Sequence, residues 1–144
     1  MYIISKFESF SNQPDIEEIK DIFQDLVDKW DMIFEGDSGA IGYNFFIEKN
    51  DILSFNKFIM LGKEIKNIEQ VYLVIYIDLT GSLHGIMGNS NNFYKTLFEF
   101  NKDCEDLLKR FQSEFNCELL TAYGNQYLQS KGIPTSRFIF VFSN

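Results

Sequence analysis

The only histidine of the chain lies near an aspartate, and such a pair can perform general acid–base chemistry. A Thr-Gly dipeptide predicts a tight turn between a strand at 70–79 and a second strand at 82–87. In that hairpin His84 would face Asp78, and a carboxylate next to an imidazole can orient it as a general base. A histidine that only satisfies its own hydrogen bonds is more common in a hairpin, and we expect that arrangement here.

Glycine and asparagine residues form a second group that could bind a ligand. Three glycines recur at three-residue steps after the first predicted helix. Their loop lacks the Lys-Ser or Lys-Thr pair of a phosphate-binding loop, and it follows a helix instead of opening one. The sequence leaves open an alternative function, a small enzyme or small-molecule-binding domain, with a site near Gly36 to Gly42, His84, and Asn89 to Asn92.

The remaining metal-ligating residue types are sparse. One histidine and two cysteines at unrelated spacings do not form a zinc site, and no run of Asp and Asn has the spacing of a calcium loop. We therefore predict no metal and no cofactor. Cys104 and Cys117 fall on or just beyond one predicted helix, which separates them by roughly 20 Å and excludes a disulfide. We expect two free, buried thiols.

The first predicted helix, at 16–34, has the clearest pattern in the chain. Asp15 followed by Glu18 has the form of a capping box, and Gly36 stops the pattern. Apolar residues recur at three- and four-residue steps between these two signals, which is typical of an amphipathic helix. They are Ile16, Ile19, Phe23, Leu26, Val27, Trp30, Ile33 and Phe34.

The other patterns predict an α+β fold. Besides the hairpin, strands are predicted at 1–10, 40–49, 70–79, 118–123 and 137–142, a second long helix at 93–116, and one or two helical turns at 125–131. The first half of 52–68 favours a strand, and its second half fits neither pattern better. We predict a single domain, 1–144, in which two long amphipathic helices pack on one side of a mixed, mostly antiparallel sheet.

Composition and charge limit the partners of this domain. The chain has 45% hydrophobic residues and a sequence pI near 4.6. The longest apolar run, 71–77, is far shorter than the ~18 residues of a membrane span, and no secretory signal is visible, so we expect a cytoplasmic protein with no membrane contact. Its negative charge would be repelled by nucleic acid phosphates, so we expect no nucleic acid binding.

The negative charge is concentrated at one end of the chain. Residues 1–37 hold ten acidic and three basic residues, while the rest is nearly neutral. On a helical wheel four of the acids lie within about 80° of one another opposite the apolar stripe, and two more extend this face toward the end of the helix. The predicted partner-binding residues are Glu17, Asp21, Asp25, Asp28, Asp31 and Glu35.

This acidic face lowers the stability of its own helix. Its like-charged pairs four residues apart and its acids near the carboxyl end together cost about 1–3 kcal/mol, although Lys20 and Lys29 could pair with Glu17 and Asp25. The alternative is an ordinary solvated helix surface, but solubility alone does not require the acids to be concentrated in one quarter of the chain. We therefore predict a face that binds a basic protein, which negative potential would attract and select.

The general profile is similar to that of small acidic bacterial immunity proteins, although the likeness includes no motif. A composition rich in Ile, Asn, Lys and Phe is compatible with an AT-rich bacterial genome. The resemblance implies a non-catalytic protein that neutralises a basic nuclease toxin by covering its substrate-binding surface. Under that resemblance the acidic side chains would stand in for phosphates: Glu17, Asp21, Asp25, Asp28 and Asp31. A third possibility is a subunit of a larger assembly, which would expose aromatic side chains.

Overall fold

Four strands form one antiparallel sheet in the computed structural model, which describes residues 15–34, 39–58, 65–81, 83–123 and 135–144. Their order in the sheet is β1-β2-β4-β3, and every described strand pair is antiparallel. The predicted strands at 40–49, 70–79, 118–123 and 137–142 are confirmed to within a few residues, whereas the elements predicted at 1–10 and 125–131 lie outside the described residues. The strands are β1 (Gly39–Phe46), β2 (Val71–Gly81), β3 (Asn116–Tyr123) and β4 (Thr135–Ser143).

Two long helices cover one face of this sheet, as predicted for an α+β fold. They are α1 (Ile16–Phe34) and α3 (Leu83–Gln112). Their apolar residues share one core with alternate residues of the two central strands, because side chains two apart in a strand point to the same face. The core includes Ile19, Phe23, Trp30, Phe100, Phe111, Leu73, Ile75, Ile77, Phe138, Phe140 and Phe142.

Aromatic rings in edge-to-face contact join the helices to the sheet. Phe100 lies 5.3 Å from Trp30 of α1 and 5.1 Å from Phe138 of β4, measured between ring centroids. Phe111 lies 4.9 Å from Phe142 in the same manner. Such contacts contribute about 0.5–1.5 kcal/mol each beyond the burial of the rings. The core thus fixes α1 and α3 side by side with their polar surfaces outward.

The opposite face of the sheet carries a third helix, α2 (Lys49–Phe58), where the sequence favoured a strand. Ile52 and Phe55 are buried, while Leu53 between them is 36% exposed, so burial follows the helical spacing instead of strand alternation. Phe55 stacks on Phe46 at 4.7 Å and meets Tyr76 edge-on at 5.2 Å. The strand prediction for this segment is wrong because a short apolar run fits both periods, and only the sheet below decides between them.

The predicted hairpin after β2 is also wrong. Residues 82–87 were expected to form its second strand, but α3 begins at Leu83 and continues without a break to Gln112. The neighbours of β2 in the sheet are β1 and β4, so neither of its edges is left for a hairpin partner. The polar segment at 88–92 was predicted to be a turn and lies within α3, ahead of the predicted start of that helix at 93.

Candidate protein-binding face

Helix α1 begins with a capping interaction that the sequence predicted. The backbone N–H of Glu18 donates a hydrogen bond to Oδ1 of Asp15 at 3.0 Å, which satisfies one of the free amides of the first turn. From this start the buried side of the helix faces the sheet. Burial of that stripe turns the opposite side of α1 to solvent.

The predicted partner-binding residues lie on this solvent side. All five that the structure describes are exposed, and Glu35 lies outside the described residues. At a rise of 1.5 Å per residue they extend over about 21 Å of helix. We call the five the acidic face: Glu17, Asp21, Asp25, Asp28 and Asp31.

Cations neutralise little of the acidic face. Within the described ranges, the one member with a basic group within 4 Å is Asp25, whose Oδ2 lies 3.8 Å from Nη1 of Arg110. Both side chains are more than half exposed, so this contact contributes little energy. Asp28 accepts a hydrogen bond from the neutral amide of Gln24 at 2.8 Å.

The lysines of α1 make contacts other than those expected from their spacing. Lys29 donates to Oδ2 of Asp103 on α3 at 2.6 Å instead of pairing with Asp25. Nζ of Lys20 lies 5.2 Å from the ring centroid of Phe45. The pairings predicted with Glu17 and Asp25 are wrong because each lysine points toward a neighbouring element, where tertiary packing supplies a partner. These contacts direct both positive charges away from the acidic face.

Negative charge continues around the amino-terminal end of α1. The carboxylate of Glu114, in the turn after α3, is the main cause of a raised pKa at Glu18. Partial burial and the nearby Asp15 raise this pKa further, in that order. A raised carboxyl pKa indicates net repulsion, so the local potential at this end is negative.

A shallow groove separates α1 from α3 beside the acidic face. Its volume is about 260 Å³. Its apolar floor is formed by Ile22, Leu26 and Leu107, which are 8% exposed each. Charged side chains from both helices surround this floor: Asp25 and Lys29 from α1, and Asp103, Asp106 and Arg110 from α3.

The α3 side of this groove was not predicted from the sequence. Asp103 accepts hydrogen bonds from Lys29 and from the indole N–H of Trp30, at 2.6 and 2.8 Å, which connects the two helices. A helical wheel of α3 would have shown the signal, because the charged residues Asp103, Asp106 and Arg110 recur at three- and four-residue steps next to the apolar Leu107. The wheel could not have shown that α1 lies on that side.

The residues of the alternative site do not form the arrangement that was predicted for them. His84 and the segment Asn89 to Asn92 lie in α3, and Gly39 and Gly42 lie in β1, while 35–38 are outside the described residues. Gly39, the first residue of β1, pairs with Gly81, the last residue of β2. Because α3 begins two residues after Gly81, this end of the sheet is close to the start of α3. The predicted hairpin partner of His84, Asp78, instead lies opposite Arg137 of β4.

The Asp78 and Arg137 pair is half-buried on the α2 face of the sheet. Oδ1 of Asp78 and Nε of Arg137 are inaccessible to solvent, and neither has a hydrogen-bond partner among the described residues. Burial raises the pKa of Asp78, and the guanidinium of Arg137 opposes this rise. The pKa of Tyr76, the neighbouring residue on this face, is also raised by burial and by Asp78.

Several other features of the described residues bear on function. Cys104 and Cys117 are free and buried, as predicted, and burial raises the thiol pKa of each.

No group of three or more potential metal ligands occurs in the part of the chain that the structure describes. None of the described helices combines the length and apolar character needed to cross a membrane. Phe98 on α3 is 73% exposed.

Comparison of the chain with protein-family models, with curated proteins and with solved structures found no significant match. The exposed acidic face and the groove beside it are therefore the features from which a function can be proposed.

Proposed function

We propose that this protein is a non-catalytic binding module whose acidic face docks onto a basic protein. In this proposal it acts in the bacterial cytoplasm as an immunity protein that neutralises a nuclease-type toxin. The supporting observation is that four of the five described acids on this face, all except Asp25, have no cation within 4 Å among the described residues. Carboxylates left exposed in this way keep their negative potential available to a partner.

The chemistry of a nuclease explains why such a face would inhibit it. A nuclease binds the phosphate backbone of its substrate through lysine and arginine side chains. A rigid row of carboxylates can occupy the same side chains, and charge complementarity raises the association rate and discriminates among partners. The core contacts of α1 keep the row rigid, because Phe23 and Trp30 fix the helix to the rest of the fold.

The larger-assembly alternative has less support in the described residues. Among the described residues Phe98 is strongly exposed, while two other large hydrophobic residues, Ile47 and Leu53, are 38% and 36% exposed. Single exposed apolar residues are normal on soluble proteins and do not indicate a subunit interface.

A charge-reversal experiment tests the acidic face. Asp21, Asp25 and Asp28 are changed together to lysine, and a control variant carries lysine at Glu69, Glu105 and Glu118, which are exposed elsewhere and give the same net charge. Wild type and both variants are immobilised, and proteins of the encoding organism are captured at low salt and identified. Binding of each captured protein to soluble wild type and variants is then measured by calorimetry.

We expect a basic nuclease that wild type and control bind and that the acidic-face variant binds more weakly by several kcal/mol. Close charge pairs between a nuclease and its protein inhibitor have been found to couple by about 1.5–7 kcal/mol, so the loss of several such pairs is measurable. Wild type, but not the variant, should block DNA or RNA cleavage by the nuclease. Equal binding by wild type and variant excludes this face, and a partner without nuclease activity excludes the toxin-neutralising role.

A further inference from the structure

The groove between α1 and α3 has the size of a binding site for one side chain. Its volume of about 260 Å³ is below the roughly 300–1,000 Å³ of typical small-molecule sites. It is open to solvent at the edge of the acidic face, since Asp25 belongs to both. A partner bound to that face would therefore also cover the groove.

The lining of the groove suits a long cationic side chain. The apolar floor of Ile22, Leu26 and Leu107 can pack against an aliphatic stem, as the stems of Lys and Arg commonly do on apolar surfaces. Above it, Asp25 and Asp106 stand on opposite helices and offer carboxylate oxygens to the charged end. Oδ2 of Asp103 already accepts hydrogen bonds from Lys29 and Trp30, so this carboxylate holds the two helices together.

An arginine of the chain itself already occupies the edge of this groove. Nη1 of Arg110 lies 3.8 Å from Oδ2 of Asp25, longer than a hydrogen bond, and the Arg110 side chain is 58% exposed. Arg110 also lies four residues after Asp106 on α3, a spacing that allows pairing along the helix. A weakly held, exposed side chain can move aside at little energetic cost.

We propose that the groove binds one arginine side chain of the partner protein, which displaces Arg110 from Asp25. The inference rests on the proposed function, because the partner reaches the groove by docking on the acidic face. Arginine is favoured over lysine because its planar guanidinium carries five donors and can bridge two carboxylates, whereas an ammonium is a compact and strongly hydrated charge. Displacement releases Arg110 to solvent and leaves Asp25 and Asp106 for the incoming guanidinium.

The test uses capped tripeptides with a central arginine, lysine or citrulline between glycines. Each is titrated into ¹⁵N-labelled full-length protein, and the indole N–H of Trp30, the only tryptophan, reports on the groove through its bond to Asp103. We expect the arginine peptide to shift the signals of Trp30, Leu26 and Asp106 saturably. The lysine peptide should bind more weakly, and the neutral citrulline peptide should cause no saturable shift.

Two variants with the same net charge separate the groove from general electrostatics. Arg110→Ala removes the competing side chain, whereas Lys109→Ala removes the neighbouring exposed cation, which does not line the groove. We expect Arg110→Ala to bind the arginine peptide about two- to fivefold more tightly than Lys109→Ala, since the displaced ion pair is a weak surface one. Asp106→Asn should weaken binding. Circular dichroism checks that each variant is folded.

The outcomes distinguish this inference from the proposed function. Equal affinities for Arg110→Ala and Lys109→Ala, or shifts confined to the signals of Glu17, Asp21 and Asp28, overturn the groove as an arginine site. Asp25 belongs to both the acidic face and the groove, so the face is tested separately by a double variant, Asp21→Lys with Asp28→Lys, whose positions do not line the groove. If the groove binds the arginine peptide but this double variant binds the captured partner as tightly as wild type does, the acidic face is refuted and the affinity of the groove for arginine stands.

Discussion

Replacement of Asp21 by lysine should stabilise the protein, although most substitutions destabilise. Asp21 is exposed on α1, with Glu17 one turn before it and Asp25 one turn after it. Each like-charged pair at this spacing costs about 0.2–0.5 kcal/mol, and a lysine would convert each into an attraction of similar size. The two pairs together predict an increase of about 0.8–2 kcal/mol in the free energy of unfolding at low salt.

The substitution Glu105→Lys on α3 provides a control for which the expected change in the free energy of unfolding has the opposite sign. Glu105 is exposed, with Lys102 three residues before it and Lys109 four residues after it. The substitution converts two attractions into repulsions and should lower the free energy of unfolding by about 0.8–2 kcal/mol. Both variants change the net charge of the protein equally, and the part of the difference between them that disappears at high salt measures the local pairs.

The assay is urea denaturation followed by the fluorescence of Trp30, which is 1% exposed in the folded protein. The measurements are made at about 0.01 M and 1 M salt, where the Debye length falls from about 30 to 3 Å, so both effects should shrink at high salt. If Asp21→Lys leaves stability unchanged or lowers it while Glu105→Lys behaves as expected, the acids of α1 do not repel one another. The inference that this helix sacrifices stability for a negative face would then be refuted.

Three further predictions concern the core and the two sheet faces. Trp30→Phe removes the indole donor to Asp103 and should lower the free energy of unfolding by about 1.5–3 kcal/mol, measured by urea denaturation with circular dichroism. Phe55→Ala should lower the free energy of unfolding by about 3–5 kcal/mol in the same assay, because Phe55 is buried between α2 and the sheet. Leu53→Ala, on the exposed side of α2, should lower it by about 0.5 kcal/mol or less. The raised pKa of Asp78 predicts that its carboxyl holds a proton in the folded protein at pH values where the unfolded chain has lost it. Its contribution to stability is therefore greatest below the unfolded pKa of about 4 and falls as pH rises through the folded pKa, and Asp78→Asn should remove this decline from the stability–pH curve.

Each of these predictions has an outcome that contradicts it. If Phe55→Ala and Leu53→Ala lowered the free energy of unfolding equally, the helical burial pattern of α2 would be contradicted. A Trp30→Phe variant as stable as wild type would show that the bond to Asp103 contributes nothing to the α1–α3 contact. A stability–pH curve of the same shape for wild type and Asp78→Asn would show that Asp78 titrates alike in the folded and unfolded chains.

The sequence by itself determined the elements with long, regular patterns. The three- and four-residue spacing of apolar residues in α1 requires one buried stripe, and burial of that stripe forces the acids on the other side outward. The exposure of Asp21 and Asp28 therefore followed from local periodicity before any partner of the helix was known. The apolar runs of β2 and β4 likewise predicted strands at 70–79 and 137–142.

Tertiary structure decided the elements whose patterns fitted two readings. The segment of α2 satisfies both a strand and a helix pattern, and the apolar surface of β2 and β4 below it selects the helix. Residues 82–87 form too short a segment to define a period, and the occupation of both edges of β2 by β1 and β4 excludes a hairpin. Short segments carry little periodic information, so contacts distant in sequence determine their conformation.

The charge pairs of the candidate site depended most on the fold. Local spacing predicted that Lys29 would pair with Asp25, but its partner is Asp103, 74 residues further along the chain. The antiparallel packing of α1 against α3 creates both this pair and the groove, which no segment of the sequence contains alone. Local sequence determines which side chains reach the surface, whereas the packing of helices determines which charges meet, because an ion pair depends on distance in space and not along the chain.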